Sequence, residues 1–252
     1  MNIAVITGAS SGLGVEYAKA VYNNRVDLDE IWVIARREDR LIALQNELGS
    51  SVVPVAFDIT DSDAIENYTT LLKEKQANVK LLINNAGFGK LGRFDELSLA
   101  ENTAMVRLNC EALTAMTAAT LPFISEGSEI INTCSIASFA PNTRMATYSS
   151  TKAYVMSLSR ALRIELKPRK INVLAVCPGP MDTEFLSIAN IPKGASRTFD
   201  TLPRDKADVV AHKSLKASKK GKAVYACHPF YKFYRVIAKI LPKSIVMKMA
   251  GA

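Results

Sequence analysis

The run Asn2-Ile-Ala-Val-Ile6 and the stretch that follows it directly, Thr7-Gly-Ala-Ser-Ser-Gly-Leu-Gly14, decide the fold of this chain. The apolar run predicts a buried strand. After the glycines, Leu13, Tyr17 and Val21 recur at helical spacing, which predicts a helix. A strand, a glycine-rich turn and a helix form the first half of a nucleotide-binding βαβ unit, in which the backbone approaches a pyrophosphate at the helix N-terminus.

The next predicted strand, Ile31-Trp-Val-Ile-Ala35, is followed by Arg36 and Arg37. An NAD-binding unit usually places an acid at this point to hold the ribose 2′-hydroxyl. Arginines suit a 2′-phosphate instead, so the sequence favours NADP over NAD. An alternative stays open, in which the arginines only begin an exposed helix.

Apolar strand-like runs alternate with helical segments through residue 227. Further strands are predicted at 52–57, 80–83, 129–134, 171–176 and 222–227, and helices after Asp61 and at about 99–120, 146–166 and 204–217. This alternation predicts an α/β fold, a doubly wound parallel sheet of Rossmann-like type covered on both faces. The predicted division is one domain at 1–227 and a helical tail at 228–252, with a mobile segment at 184–205 over the site.

A second informative stretch contains Tyr148-Ser-Ser-Thr-Lys152. On a helix, Tyr148 and Lys152 share one face, and a nearby cation lowers the pKa of a phenol from its ordinary value of about 10. Ser135 follows the predicted strand 129–134, so its hydroxyl is expected at the carboxyl edge of the sheet, where such folds bind ligands. These groups together could polarise a carbonyl and protonate it, although the spacing alone also fits two exposed helix residues.

Composition and charge exclude several classes of protein. The 252 residues are 48% hydrophobic and contain no apolar run long enough for a membrane span, and a strand beginning at Asn2 leaves no room for a signal peptide. The sequence predicts no metal site, because its cysteines lack metal-like spacing, and it favours a reducing, cytoplasmic compartment. These cysteines are Cys110, Cys134, Cys177 and Cys227.

The net charge of +8 belongs to the C-terminal end. No acidic residue follows Asp208, whereas ten of the 32 lysines and arginines do. In the tail, one helical face is apolar and another is basic before Pro242 ends the helix, and Ser244 is predicted to cap a second helix. The apolar face contains Phe230, Phe233, Tyr234, Ile237, Ile240 and Leu241, and the basic face contains Lys232, Arg235 and Lys239.

Three interpretations of the tail stay open. It could pack as a lid or oligomer contact, lie on a membrane surface, or form a solvated basic terminus. No recognition motif accompanies the charge, so no nucleic-acid partner is predicted.

Taken together, residues 2–227 resemble the short-chain dehydrogenase/reductase family. The matching pieces, in the family's order and spacing, are Thr7-Gly-x-x-x-Gly-x-Gly14, Asp58, Asn84-Asn-Ala-Gly87, Asn109, Ser135, Tyr148-x-x-x-Lys152 and Pro178-Gly179. The resemblance implies that Tyr148 is the general acid in reduction and the base in oxidation, and that Ser135 hydrogen-bonds the substrate oxygen. Lys152 would lower the pKa of the phenol and hold the nicotinamide ribose, and Asn109 would hold a water that links Lys152 to solvent.

The resemblance also implies a set of cofactor-binding residues. Besides Tyr148 and Lys152, these are Gly8, Ser10, Ser11, Gly12, Leu13, Arg36, Arg37, Asp58, Ile59, Asn85, Ala86, Gly87, Pro178, Gly179, Met181 and Thr183. Two alternatives stay open: Asn84 and Asn85 could tie strands together, and Asn109 could be a helix-bending polar residue. Ser138 stands where many relatives have glycine and is expected to narrow or polarise the substrate side.

The implied activity is an NADP(H)-dependent oxidoreductase that interconverts a ketone or aldehyde and an alcohol. Apolar character at 184–205 and in the tail hints at a lipophilic substrate such as a hydroxysteroid or a 3-oxoacyl chain. By analogy, a homodimer or homotetramer would pair the helices at about 99–120 and 146–166. The alternative is an NADP-binding sensor or scaffold without turnover.

Overall fold

The computed structural model describes residues 1–191, 194 and 196–250. Residues 192, 193 and 195 of the predicted mobile segment, and 251 and 252 of the predicted tail, lie outside the described residues. No helix within the described part of the chain combines the length and apolar character needed to cross a bilayer.

Over the described residues, seven strands form one sheet in the order β3-β2-β1-β4-β5-β6-β7, and all paired neighbours are parallel. The strands are β1 Asn2–Thr7, β2 Glu30–Ala35, β3 Val52–Ala56, β4 Asn78–Asn84, β5 Ile124–Thr133, β6 Asn172–Val176 and β7 Val224–Tyr225. The order reverses between β1 and β4, which opens a crevice at the carboxyl edge of the sheet. This arrangement confirms the predicted fold class.

Helices cover both faces of the sheet. They are α1 Gly12–Asn24, α2 Glu38–Leu48, α3 Ser62–Glu74, α4 Leu99–Val106, α5 Leu113–Thr120, α6 Ala146–Glu165, α7 Glu184–Ile188, α8 Arg197–Thr201, α9 Ala207–Lys219, α10 Pro229–Ile240 and α11 Lys243–Ala250. Because helices cover both faces of the sheet, the strands are apolar on both faces. In β1, for example, Ala4 and Ile6 pack on the side of α1, and Ile3 and Val5 pack on the opposite side. Asp61 caps α3 through its carboxylate, as predicted.

Several predicted boundaries were wrong for local reasons. Helix α9 begins at Ala207 because the Asp205 N–H donates to the carbonyl of Pro180, 2.9 Å away, and holds the preceding residues extended. Ser244 does not cap α11, because the helix begins one residue earlier at Lys243, and the carbonyl of Pro242 accepts the N–H groups of Ile245 and Val246. Strand β7 is short because only the carboxyl end of β6 pairs with it.

The strand predicted at 129–134 begins earlier, and the segment 184–205 contains helices α7 and α8. A bulge in β5 explains the early start: Ile124 pairs with Val79, and the regular register resumes at Glu129.

Candidate active site

A cavity of about 770 Å³ lies at the carboxyl ends of the central strands, within the usual range for ligand sites. Every predicted cofactor residue lines this cavity, and so does Ser135. We call Ser10, Arg36, Arg37 and Asp58 the arginine end of the cavity. We call Ser135, Tyr148 and Lys152 its reaction end.

The glycine-rich turn after β1 is fastened to the loop after β4. Gly8 has φ +68°, and a Cβ at this position would lie 2.8 Å from the Ala86 Cα, so a side chain there would disrupt the turn. The hydroxyl of Thr7 accepts the backbone N–H groups of Asn85 and Ala86 at 3.0 and 3.1 Å. The sequence did not predict that Thr7 fastens the two loops together. The only indication in the sequence is the position of Thr7 directly before Gly8.

Asn84 and Asn85 both tie strands together. The Asn84 amide donates to Asn132 Oδ1 and Thr117 Oγ1, both at 2.9 Å, and Asn84 is buried. The Asn85 amide donates to the carbonyls of Thr7 and Gly8 at 3.3 Å. The strand-tying alternative therefore holds for both residues, and the cofactor contact of Asn85 stays a prediction.

At the arginine end, both arginines already contact carboxylates. Arg37 donates to Ser10 Oγ at 3.0 Å and to Glu184 Oε2 at 2.9 Å, which joins the glycine-rich turn to α7. The Arg36 side chain is 75% exposed, and its guanidinium lies 3.6 Å from Asp58 Oδ2. Glu184 was missed by sequence reasoning, because nothing near Arg37 in the sequence indicates a partner so distant along the chain.

At the reaction end, Ser135 and Tyr148 meet. Ser135 follows β5 and begins a short 3₁₀ turn, Ile136–Ser138, in which its hydroxyl accepts the N–H of Ala137 at 3.1 Å. Tyr148 lies in the first turn of α6 and packs against Phe185 with ring centres 5.7 Å apart. Both side chains line the cavity, and the Ser135 hydroxyl acts to lower the pKa of the Tyr148 phenol.

The electrostatics of the phenol differ from the sequence prediction. Burial raises the pKa of Tyr148, and the nearby Ser135 side chain opposes this rise without reversing it. The Lys152 ammonium donates to the Thr133 carbonyl at 2.9 Å and lies 5.8 Å from the centre of the phenol ring. Lys152 is not among the groups that shift the pKa of Tyr148 in this arrangement, so the lowering of this pKa by Lys152 stays a prediction.

Lys152 itself is an unusual buried charge. It is 4% exposed, and burial lowers the pKa of its ammonium, opposed by the thiols of Cys134, Cys110 and Cys177. The hydrogen bond of this ammonium goes to a backbone carbonyl, and no carboxylate within the described part of the chain forms an ion pair with Lys152. A buried ammonium that has only a carbonyl as hydrogen-bond acceptor is costly, so this charge is not expected to stabilise the fold.

Asn109 does not line the cavity but lies directly behind it. It occupies a π-helical turn, Arg107–Ala112, that joins α4 to α5 and interrupts the predicted continuous helix. Its amide donates to the Phe88 carbonyl at 2.8 Å and to Thr151 Oγ1 at 3.0 Å, and its Oδ1 accepts the Phe88 N–H at 3.0 Å. π-turns are frequent at functional sites, and the helix-bending alternative holds beside the predicted water-holding role, which stays a prediction.

Ser138 does not polarise the substrate side as predicted. Its hydroxyl donates to the Ser135 carbonyl at 2.6 Å and closes the 3₁₀ turn. The residue that departs from the family pattern thus stabilises the position of Ser135.

The tail contributes to the cavity wall. Phe230, Tyr231 and Tyr234 of α10 all line it, and the Tyr231 hydroxyl donates to the Pro203 carbonyl. Gly179 permits this approach, since a Cβ there would lie 2.1 Å from the Tyr231 ring. The amphipathic pattern of the tail indicated that one face of α10 is packed. Nothing in the sequence indicated that this face packs against Gly179.

The family model described as "short chain dehydrogenase" matches residues 2–192. The chain belongs to the short-chain dehydrogenase/reductase family. This confirms the resemblance drawn from the sequence and identifies the protein as an oxidoreductase.

Known relatives of this short-chain dehydrogenase/reductase differ in substrate and cofactor. This chain is 34% identical over 187 residues to serine 3-dehydrogenase of Agrobacterium fabrum, and the match covers 72% of each chain. It is similar to a short-chain dehydrogenase from Sphingobium yanoikuyae in complex with NADPH, with a TM-score of 0.79, 29% identity, and coverage of 95% of this chain and 93% of that one. The 3-ketoacyl-(acyl-carrier-protein) reductase of Brucella melitensis, complexed with NADH, gives a TM-score of 0.77 and 26% identity over 89% of this chain and 96% of that one.

Proposed function

We propose that this short-chain dehydrogenase/reductase interconverts a ketone or aldehyde and an alcohol with NADP(H), and that Tyr148 is its general acid and base. The observation that carries the proposal is one cavity that has arginines at one end and the side chains of Ser135, Tyr148 and Lys152 at the other. The relatives named for CH–OH oxidation support the reaction class.

The residues present fit a dinucleotide. The glycine-rich turn at Gly8 brings bare backbone to the cavity at the start of α1, which suits a pyrophosphate. Arg36 and Arg37 would hold a 2′-phosphate, and the solved relative with NADPH supports this choice, although another was solved with NADH. When bound, the pyridine nucleotide supplies the hydride.

The chain's own residues would supply orientation and the proton. In reduction, the Tyr148 O–H donates its proton to the carbonyl oxygen; in oxidation, its oxygen takes the proton back. The raised pKa keeps the phenol protonated at neutral pH, which suits the acid role. Ser135, which lines the cavity with Tyr148, would hold the same substrate oxygen.

Lys152 and Asn109 would complete the proton path. The Lys152 ammonium lies close enough to stabilise the phenolate left after proton transfer. A Cβ at Gly87 would lie 2.9 Å from Asn109 Oδ1 and 3.3 Å from Lys152 Nζ. The space beside Gly87 is therefore bounded by both polar groups, which supports the proposed water-mediated link between them.

The substrate we propose is lipophilic. Apolar side chains line the cavity together with Tyr148, from the segment after β6 and from the tail: Phe185, Leu186, Phe199, Leu202 and Phe230. Walls of this kind favour an acyl chain or a fused-ring ketone over a small hydroxy acid.

Three further predictions stay part of the proposal: the division into 1–227 and 228–252, a cytoplasmic location, and self-association. Helices α4 to α6 expose Leu99, Val106 and Tyr154, which supports pairing of these helices in a homodimer or homotetramer.

The test is a turnover screen of ketones with NADPH, comparing the wild type with Tyr148→Phe. General acid catalysis contributes about 10²- to 10⁴-fold, so we expect a loss of at least about 10²-fold in kcat with NADPH binding retained. Tyr154→Phe is the matched control, because Tyr154 lies on the same helix and hydrogen-bonds Thr114 away from the cavity. Equal rates for wild type and Tyr148→Phe would contradict the assignment, and NADPH binding without turnover of any ketone would favour the sensor alternative.

A further inference from the structure

Helix α10 carries two apolar faces, and only one of them is covered. Tyr231 and Ala238 point inward and are 0% and 2% exposed. Phe233, Val236 and Ile240 are 64%, 52% and 71% exposed, and their spacing places them along one side of the helix. Scattered exposed apolar residues are common, but a contiguous row of large ones marks a contact surface.

The exposed row is bordered by positive charge. Lys232, Arg235 and Lys239 are all exposed on α10. Among the described residues, no carboxylate forms an ion pair with any of these three. The chain has no acidic residue after Asp208 that could neutralise them locally. The charge is therefore available to an anionic partner.

A second copy of the chain fits this surface poorly. In a two-fold symmetric contact the same patch meets itself, so two basic faces would be brought together at a cost. The exposed apolar face on helices α4 to α6 differs, because Arg107 and Glu111 supply both signs of charge there. That face suits self-association, and the face of α10 does not.

We propose that the outer face of α10, defined by Phe233, Val236 and Ile240 with Lys232, Arg235 and Lys239, docks on an anionic lipid surface. Apolar side chains enter the boundary between headgroups and acyl chains, and lysine stems reach back to the phosphates. Phe230, on the same helix, is 46% exposed and also lines the cavity. Docking would hold the cavity beside the lipid, where a lipophilic ketone partitions; this last step rests on the proposed function.

The experiment is sedimentation of the full-length protein with vesicles of phosphatidylcholine alone or of an equimolar mixture with phosphatidylglycerol. We expect binding to the mixed vesicles only, weakened by salt, as attraction to anionic headgroups requires. Phe233→Ser/Ile240→Ser and Lys232→Gln/Lys239→Gln should each lower the partition coefficient at least about tenfold. Val26→Ser/Ile42→Ser and Lys73→Gln/Lys75→Gln, at exposed sites on other elements, should leave it unchanged.

Two results would overturn the proposal. One is the absence of binding to the mixed vesicles, or equal binding by the Phe233→Ser/Ile240→Ser protein. The other is light scattering that shows this variant dissociating an oligomer, which would make the face a contact between copies. Turnover of a short water-soluble ketone should be unaffected by the tail variants, so a failure of lipid docking is distinguishable from a failure of the proposed catalysis.

Discussion

The two ends of the cavity hold their charges in opposite ways. At the arginine end, the Arg36 and Arg37 guanidinium groups are partly exposed and pair with Asp58 and Glu184. At the reaction end, the Lys152 ammonium is buried and donates to a backbone carbonyl. A phosphate at the arginine end would have to compete with existing carboxylates in water, where ion pairs are weak. The reaction end is preorganised in a dry site, where electrostatic effects are large.

The largest effect that tests this difference is expected from Lys152→Met. Methionine keeps the bulk of the stem but removes a buried charge, so we expect kcat to fall about 10²- to 10³-fold. Thermal stability should stay level or rise, because burial of the charge is unfavourable and its hydrogen bond goes to a backbone carbonyl. Ketone turnover and the melting temperature of the same protein check this. If the Lys152→Met protein were less stable but fully active, Lys152 would have a structural role. The proposed difference between the two ends of the cavity would then be wrong.

Much of the reaction end could be predicted because it follows from local spacing. Tyr148 and Lys152 are separated by one helical turn, and Ser135 lies two residues after the end of β5, so a parallel sheet brings them to one edge. The near-continuous apolar character of β1, β2 and β4 indicated burial on both faces, and hence the doubly wound sheet.

The remaining features depend on tertiary contacts. Arg37 meets Glu184 across 147 positions of the chain, and Tyr231 meets Gly179; no local pattern encodes either pair. The direction of the Tyr148 pKa shift depends on how deeply the phenol is buried, which the spacing to Lys152 does not reveal. The π-helical turn at Asn109 likewise accompanies hydrogen bonds to the backbone of Phe88, which is distant along the chain.

A titration of Tyr148 would sharpen the comparison further. In the protein without added nucleotide, we expect the phenol to ionise above its ordinary pKa of about 10, because burial outweighs the opposing effect of Ser135. The ultraviolet difference spectrum between wild type and Tyr148→Phe isolates this phenolate as pH rises, with circular dichroism to confirm that the fold persists. A titration midpoint below 10 would contradict this expectation. It would mean that the Lys152 ammonium lowers the pKa of the phenol, as the spacing of the two residues predicts.

The smallest effect is expected at the arginine end. Arg37 is held by Ser10 beside the glycine-rich turn, whereas Arg36 extends into solvent. Arg37→Ala should therefore raise the Kd for NADPH more than Arg36→Ala, by about tenfold against a few-fold, since a charge-assisted hydrogen bond contributes about 1.5–3 kcal/mol before solvent screening. Titration calorimetry with NADPH and NADH measures both, and NADH serves as the control because it lacks the 2′-phosphate. Equal losses for the two nucleotides would mean that Arg37 only secures the turn through Ser10, and that the preference for NADP has another source.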